Sequence, residues 1–214
     1  MLQISGLNLT TDFSLALDIN LIFEPATVTG LIGPNGSGKS TLMRTIVGLR
    51  NEKTGLATIK FENKVLSPKE VKEQLFYFES TNWFNNSLSG MDYLKLISDV
   101  WKTDKQLIDE MVDFWHLSSF IHKPIKKYSL GMKQKLLLSL YHVSNANYLF
   151  LDEPTLALDR ESVERFKEYL LEQKTLGKCI FFSAHESEEF FKICDKIYAI
   201  HEQKIIQLSL EGRL

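Results

Sequence analysis

One eight-residue stretch limits the fold more than any other: Gly33-Pro34-Asn35-Gly36-Ser37-Gly38-Lys39-Ser40, a full match to GxxxxGK[ST]. Before it, Thr27 to Ile32 (TVTGLI) reads as a short buried strand. After it, the residues from Lys39 to about Leu49 read as a helix stopped by the polar Arg50-Asn51-Glu52-Lys53. A strand that feeds a glycine-rich turn into a helix is a cradle for phosphate. Glycines let successive N–H groups curl inward, and the helix turns its positive end toward the same anion. In such a cradle Lys39 neutralises β- and γ-phosphates and the Ser40 hydroxyl is a Mg²⁺ ligand, with Thr41 beside it among the nucleotide contacts. On its own the motif marks nucleotide binding and leaves kinases, GTPases and motor ATPases open.

The rest of the chain alternates strand and helix, which predicts an α/β core with a mainly parallel sheet. Residues 2–9 and 14–23 read as strands ahead of the cradle. From about Leu88 to Phe120 the pattern turns helical: Met91, Leu94, Ile97 and Val100 recur at helical spacing, as do Leu107, Met111, Phe114 and Trp115. This reads as a helical subdomain, approximately residues 80–135, inserted in a single domain spanning 1–214. A helix over about 130–143, a strand over 148–151, a helix over about 161–174 and a strand over 178–183 complete the pass.

A second carboxylate site follows from Tyr148-Leu149-Phe150-Leu151-Asp152-Glu153, a buried strand ending in two acids. A parallel strand delivers its C-terminal end to the ligand side of the sheet, beside the phosphate loop. There Asp152 would hold the Mg²⁺ shell and Glu153 would orient the attacking water. An isolated Asp-Glu pair is commonly an acidic turn; the upstream loop favours the chemical reading.

Bulk properties exclude several classes. A formal charge of −2 with no basic run gives no footprint for nucleic acid. Cys179 and Cys194 lack paired spacing and read as reduced thiols of an intracellular protein. The N-terminal MLQISGLNLT shows no secretory pattern, and no stretch reaches the ~20 apolar residues that cross a bilayer.

Over essentially its whole length the chain resembles the ATP-binding cassette family of transporters. Tyr128-Ser129-Leu130-Gly131-Met132-Lys133-Gln134 is similar to the family signature, usually LSGGQ, and stands before the helix that leads to Asp152. The resemblance implies that Ser129 and Gly131 donate to the γ-phosphate of ATP held by a second copy. Helix N-capping by Ser129 is the structural alternative. Thr155 to Asp159 resembles the family's D-loop, with Asp159 at the dimer seam or capping the next helix. Phe181-Phe182-Ser183-Ala184-His185 matches the switch-histidine segment, and His185 would sense the γ-phosphate. Phe13 falls where the family stacks an aromatic on adenine, with core packing as its competitor.

Departures are also visible. Ser80, preceded by Glu79, stands where the family has a metal-contacting glutamine at the end of a strand expected over 74–78. Leu130, Met132 and Arg160 replace the usual Gly, Gln and Pro. Trp83 and Phe84 fall where the family receives a helix of its membrane subunit, or fill the seam between two lobes. The resemblance implies an ATPase with Mg²⁺ that pairs with a second cassette, a homodimer being the simplest case. It would energise a separate transmembrane permease from the inner face of the cell membrane. The signature variant is closer to exporter-type subunits. A soluble non-transport ATPase of the family and a binding-only ATP switch are the alternatives.

Overall fold

Thr27–Ile32, Tyr148–Leu151 and Cys179–Ala184 are apolar almost throughout, as strands buried on both faces of a parallel sheet must be. In the computed structural model, which describes residues 1–10, 14–49, 58–184, 191–202 and 204–209, they form the centre of a six-stranded sheet. The elements are β1 (Leu2–Thr10), β2 (Ser14–Phe23), β3 (Thr27–Ile32), α1 (Lys39–Ile46), β4 (Thr58–Phe61), β5 (Lys64–Val65), α2 (Pro68–Gln74), β6 (Leu75–Tyr77), α3 (Gly90–Trp101), α4 (Gln106–Phe114), α5 (Leu130–Ser144), β7 (Tyr148–Leu151), α6 (Arg160–Thr175), β8 (Cys179–Ala184), β9 (Lys196–His201) and β10 (Lys204–Leu208). The large sheet runs β10-β9-β3-β8-β7-β6, parallel except for β10. A second, antiparallel sheet runs β2-β1-β4-β5.

The chain divides into two compact units. The α/β unit holds both sheets and comprises residues 1–77, 147–153 and 166–214. Its core is aromatic where the sheets face each other: Phe23 of β2 lies 5.1 Å from Phe150 and 4.9 Å from Phe181, and those two rings are 5.1 Å apart. All three are fully buried. The helix expected to reach Leu49 ends at Ile46, where Gly48 N–H bonds the Thr45 carbonyl and Leu49 N–H the Arg44 carbonyl, a Schellman closure. The strand expected over 74–78 is shorter. Gln74 closes α2, whose start is fixed by a Ser67–Glu70 capping box, and only Leu75–Tyr77 pair with β7.

The helical unit comprises residues 78–146 and 154–165. Ser89 and Asp92 cap α3 reciprocally. Tyr128 is its hub. The phenol accepts from Gly90 N–H at 3.1 Å and faces the Phe120 and Ile121 carbonyls at 2.9 and 3.1 Å. Arg165 donates to the Phe114 carbonyl at 2.6 Å and to His116 Nε2 at 3.0 Å, fastening the 154–165 segment to the end of α4. Among the described residues, no helix is long and apolar enough to cross a membrane.

Candidate nucleotide site

In the α/β unit, β3, β8 and β7 are parallel neighbours in that order, so their C-terminal ends share one edge of the sheet. Ile32 of β3 pairs with Ala184 of β8, and Leu151 of β7 with Phe182. The loop of Gly33 to Gly38 and the acids Asp152 and Glu153 therefore leave the sheet on the same side. Two strand spacings, about 10 Å, separate the strands that carry them. His185 follows β8 directly but lies outside the described residues, as does Phe13.

The loop is shaped as its sequence requires. Ser37 N–H closes a turn on the Pro34 carbonyl at 3.2 Å. Gly38 stands at the N-cap of α1 with φ 102°, a backbone conformation a side chain would strain, and no side chain caps the helix. The first turn of α1 therefore carries N–H groups that no side-chain cap satisfies, the arrangement an anion would use. Lys39 is 5% exposed, and its ammonium donates to the carbonyls of Gly33 at 2.8 Å and Pro34 at 3.2 Å. The positive charge is held over the loop, where an anion would meet it. Ser40 and Thr41 sit in the first turn of α1, half-buried.

Asp152 and Glu153 are fixed by Ser183, a residue with no motif role. Ser183 of β8, fully buried, donates to Asp152 Oδ1 at 2.5 Å and accepts from Glu153 N–H at 2.9 Å. Glu153 itself adopts a left-handed backbone, φ 47°, a conformation that costs a non-glycine residue about 1–2 kcal/mol. One signal was available in the sequence: a lone hydroxyl in the apolar run CIFFSA must find a partner.

The remaining residues singled out in the sequence belong to the helical unit. Ser129 is the N-cap of α5; its hydroxyl accepts from Met132 N–H at 3.2 Å, as the capping reading anticipated. Gly131 lies against the 154–159 turn, where a Cβ would stand 3.0 Å from the Ala157 carbonyl. Gln134, buried, donates to the Pro154 carbonyl at 2.8 Å, and Lys135 approaches Asp159 at 3.9 Å. Asp159 accepts from Ser162 N–H at 2.8 Å, which caps α6 and holds the carboxyl below its ordinary range. The start of α5 and the D-loop segment are therefore one assembly. Ser80 accepts from Asn82 N–H at 3.0 Å at the head of a short 3₁₀ turn. Beyond it the two aromatics part: Phe84 is buried against Phe78 and Tyr93, whereas Trp83 is 45% exposed.

Residues 16–156, well over half of the chain, match the family described as ABC transporter. The chain belongs to the ABC transporter family. It is 34% identical over 189 residues to YdbJ, an ABC transporter ATP-binding protein of Bacillus subtilis (strain 168), covering 86% of this chain and 61% of YdbJ. It is 31% identical over 189 residues to SrtF, a lantibiotic transport ATP-binding protein of Streptococcus pyogenes, covering 88% of this chain and 81% of SrtF. A solved ATP-binding subunit of an ABC transporter shares the fold, with a TM-score of 0.87 and 23% identity over 99% of this chain and 90% of that one. Within the ABC transporter family this chain takes the place of an ATP-binding subunit.

Proposed function

We propose that this ABC transporter chain binds and hydrolyses Mg-ATP and that two copies close on two ATP molecules to drive a separate membrane-spanning permease. The observation that carries the reading is the common sheet edge at which the phosphate loop and the acid pair emerge from β3 and β7. The whole chain, 1–214, acts as one cassette, with the helical part over about 80–135 as its insertion. It works on the inner face of the cell membrane, peripheral to the permease.

The loop residues Gly33, Pro34, Asn35, Gly36, Ser37 and Gly38 wrap the phosphates through backbone N–H groups, and Lys39 exchanges two loop carbonyls for β- and γ-phosphate oxygens. Phe13 stacks on the adenine. A serine hydroxyl and a carboxylate are the hard oxygen donors Mg²⁺ takes, so Ser40 and Asp152 fit that ion, with Ser80 as an added ligand. When bound, Mg²⁺ neutralises charge that develops on the phosphate oxygens. Glu153 orients the attacking water and His185 contacts the γ-phosphate.

Ser129, Gly131 and Asp159 serve the site of the second copy. Because Gln134 and Gly131 tie the start of α5 to the 154–159 turn, those three groups would reach a neighbour together. Parting of the copies after hydrolysis would pass to the permease as a rigid-body motion.

Size-exclusion chromatography of Glu153→Gln with and without Mg-ATP tests the pairing. This substitution slows hydrolysis and keeps the nucleotide bound. A shift to a dimer that requires ATP and is abolished by Ser129→Arg is the expected result. A variant that binds ATP and stays a monomer would refute self-pairing.

A further inference from the structure

We infer that Ser183 is a positioning residue for the acid pair, setting the Asp152 carboxylate plane and the Glu153 backbone with one hydroxyl; the inference rests on the proposed roles of those two acids. Side chains two apart on a strand share a face. Phe181 and Ser183 on β8 share a face, and Asp152, one residue past the end of β7, continues the two-residue step from Phe150. The first rung of this cross-strand ladder is the Phe150–Phe181 contact at 5.1 Å, inside the aromatic core. The second rung is the Asp152–Ser183 hydrogen bond. The packed core thus fixes the register of the pair that stands at the site.

The direction of the chain of bonds is fixed by chemistry. A peptide N–H can only donate, so Glu153 N–H uses a lone pair of Ser183 Oγ. The hydroxyl proton then points to Asp152 Oδ1, and an ionised carboxylate can only accept it. Holding Oδ1 fixes the plane of the Asp152 carboxylate. Holding Glu153 N–H supports a left-handed residue, φ 47°, and so aims the Glu153 side chain. Ser183 is fully buried, so solvent cannot take its place in either bond. Alanine at this position would leave the Glu153 N–H without its acceptor and let the Asp152 carboxylate turn.

The experiment compares Ser183→Ala, Ser183→Thr and Glu153→Gln with the wild type in two readouts. The first is steady-state ATP turnover, resolved into kcat and KM. The second is equilibrium ATP affinity in EDTA and in Mg²⁺, which involves no turnover. Ser183→Ala is expected to lower kcat about 10- to 100-fold, the worth of one hydrogen bond to a charged group, with KM changed less than about threefold. It should also shrink the gain in ATP affinity that Mg²⁺ gives, and leave affinity in EDTA unchanged. Ser183→Thr retains the hydroxyl and should restore kcat to within about threefold of the wild type. Thermal melts of the same samples show whether each variant is folded; should threonine not fit, the Mg²⁺ dependence of ATP binding by Ser183→Ala decides. A folded Ser183→Ala with wild-type kcat and wild-type Mg²⁺ gain overturns the positioning role, provided Glu153→Gln abolishes turnover. If Glu153→Gln also turns over ATP as the wild type does, the reading of the acid pair falls instead, and the inference falls with it.

Discussion

Tyr128→Phe removes one oxygen from the helical unit, and the structure sets what that costs. The ring stays, with its edge contact to Phe120 at 4.9 Å, so packing is preserved. The hydroxyl is lost, and with it the acceptor of Gly90 N–H at 3.1 Å and the donor to the Phe120 carbonyl at 2.9 Å. Burial pushes the phenol above its usual range, so the proton that makes the second bond is present at any ordinary assay pH. A buried N–H stripped of its acceptor costs about 1–3 kcal/mol, and the lost bond to a carbonyl about 0.5–1.5 kcal/mol more. The sum, about 1.5–4.5 kcal/mol, is a large share of the 5–15 kcal/mol by which folded domains are typically stable. For a chain of this length it translates into a Tm lower by roughly 3–18 °C. Urea and thermal denaturation of the two proteins measure the loss, and hydrogen exchange at the Gly90 amide should accelerate in the variant. Because Tyr128 directly precedes the cap of α5, the proposed ATP-dependent pairing should weaken as well. A loss below about 0.5 kcal/mol with Gly90 still protected would show that the phenol hydroxyl does not hold α3, since that is the scale of an inconsequential surface change.

Two further outcomes follow from the α/β core. Phe150→Ala opens a cavity between Phe23 and Phe181 and should cost about 3–5 kcal/mol in denaturant titration, with Phe150→Leu costing markedly less. Burial pushes the Cys179 thiol up to about 12, so at pH 8 it should react with a disulfide reagent roughly a thousandfold more slowly in the native protein than in denaturant. The sign of the linked stability change is fixed. The unfolded thiol loses its proton first, so this group's contribution falls as pH rises through about 9 toward 12.

Much of the candidate site was legible because its residues are consecutive in the chain. The phosphate loop and the Asp152–Glu153 pair each announce a strand end, and both lie where a parallel sheet puts them. What escaped depends on register between segments far apart in sequence. Ser183 meets Asp152 only because β8 pairs with β7 as it does, and Gln134 meets Pro154 only because α5 lies along the D-loop segment. Short or exposed elements also escaped: β5 has two residues and both are exposed, so no period is available to read. Trp83 and Phe84 read as one aromatic pair, for docking or for filling a seam; Trp83 ends the 3₁₀ turn half in solvent, whereas Phe84, directly after it, turns inward.

The most direct test is calorimetric titration of Mg-ATP into the wild type and into Lys39→Ala. Lys39 is the buried cation of the loop, held by two carbonyls that a phosphate would displace. Saturable binding by the wild type, weakened at least about tenfold by loss of a charge-assisted contact in Lys39→Ala, is the predicted result. Equal affinity of the two proteins, or no binding by a folded wild type, would contradict the assignment of the β3–β7 edge as the ATP site.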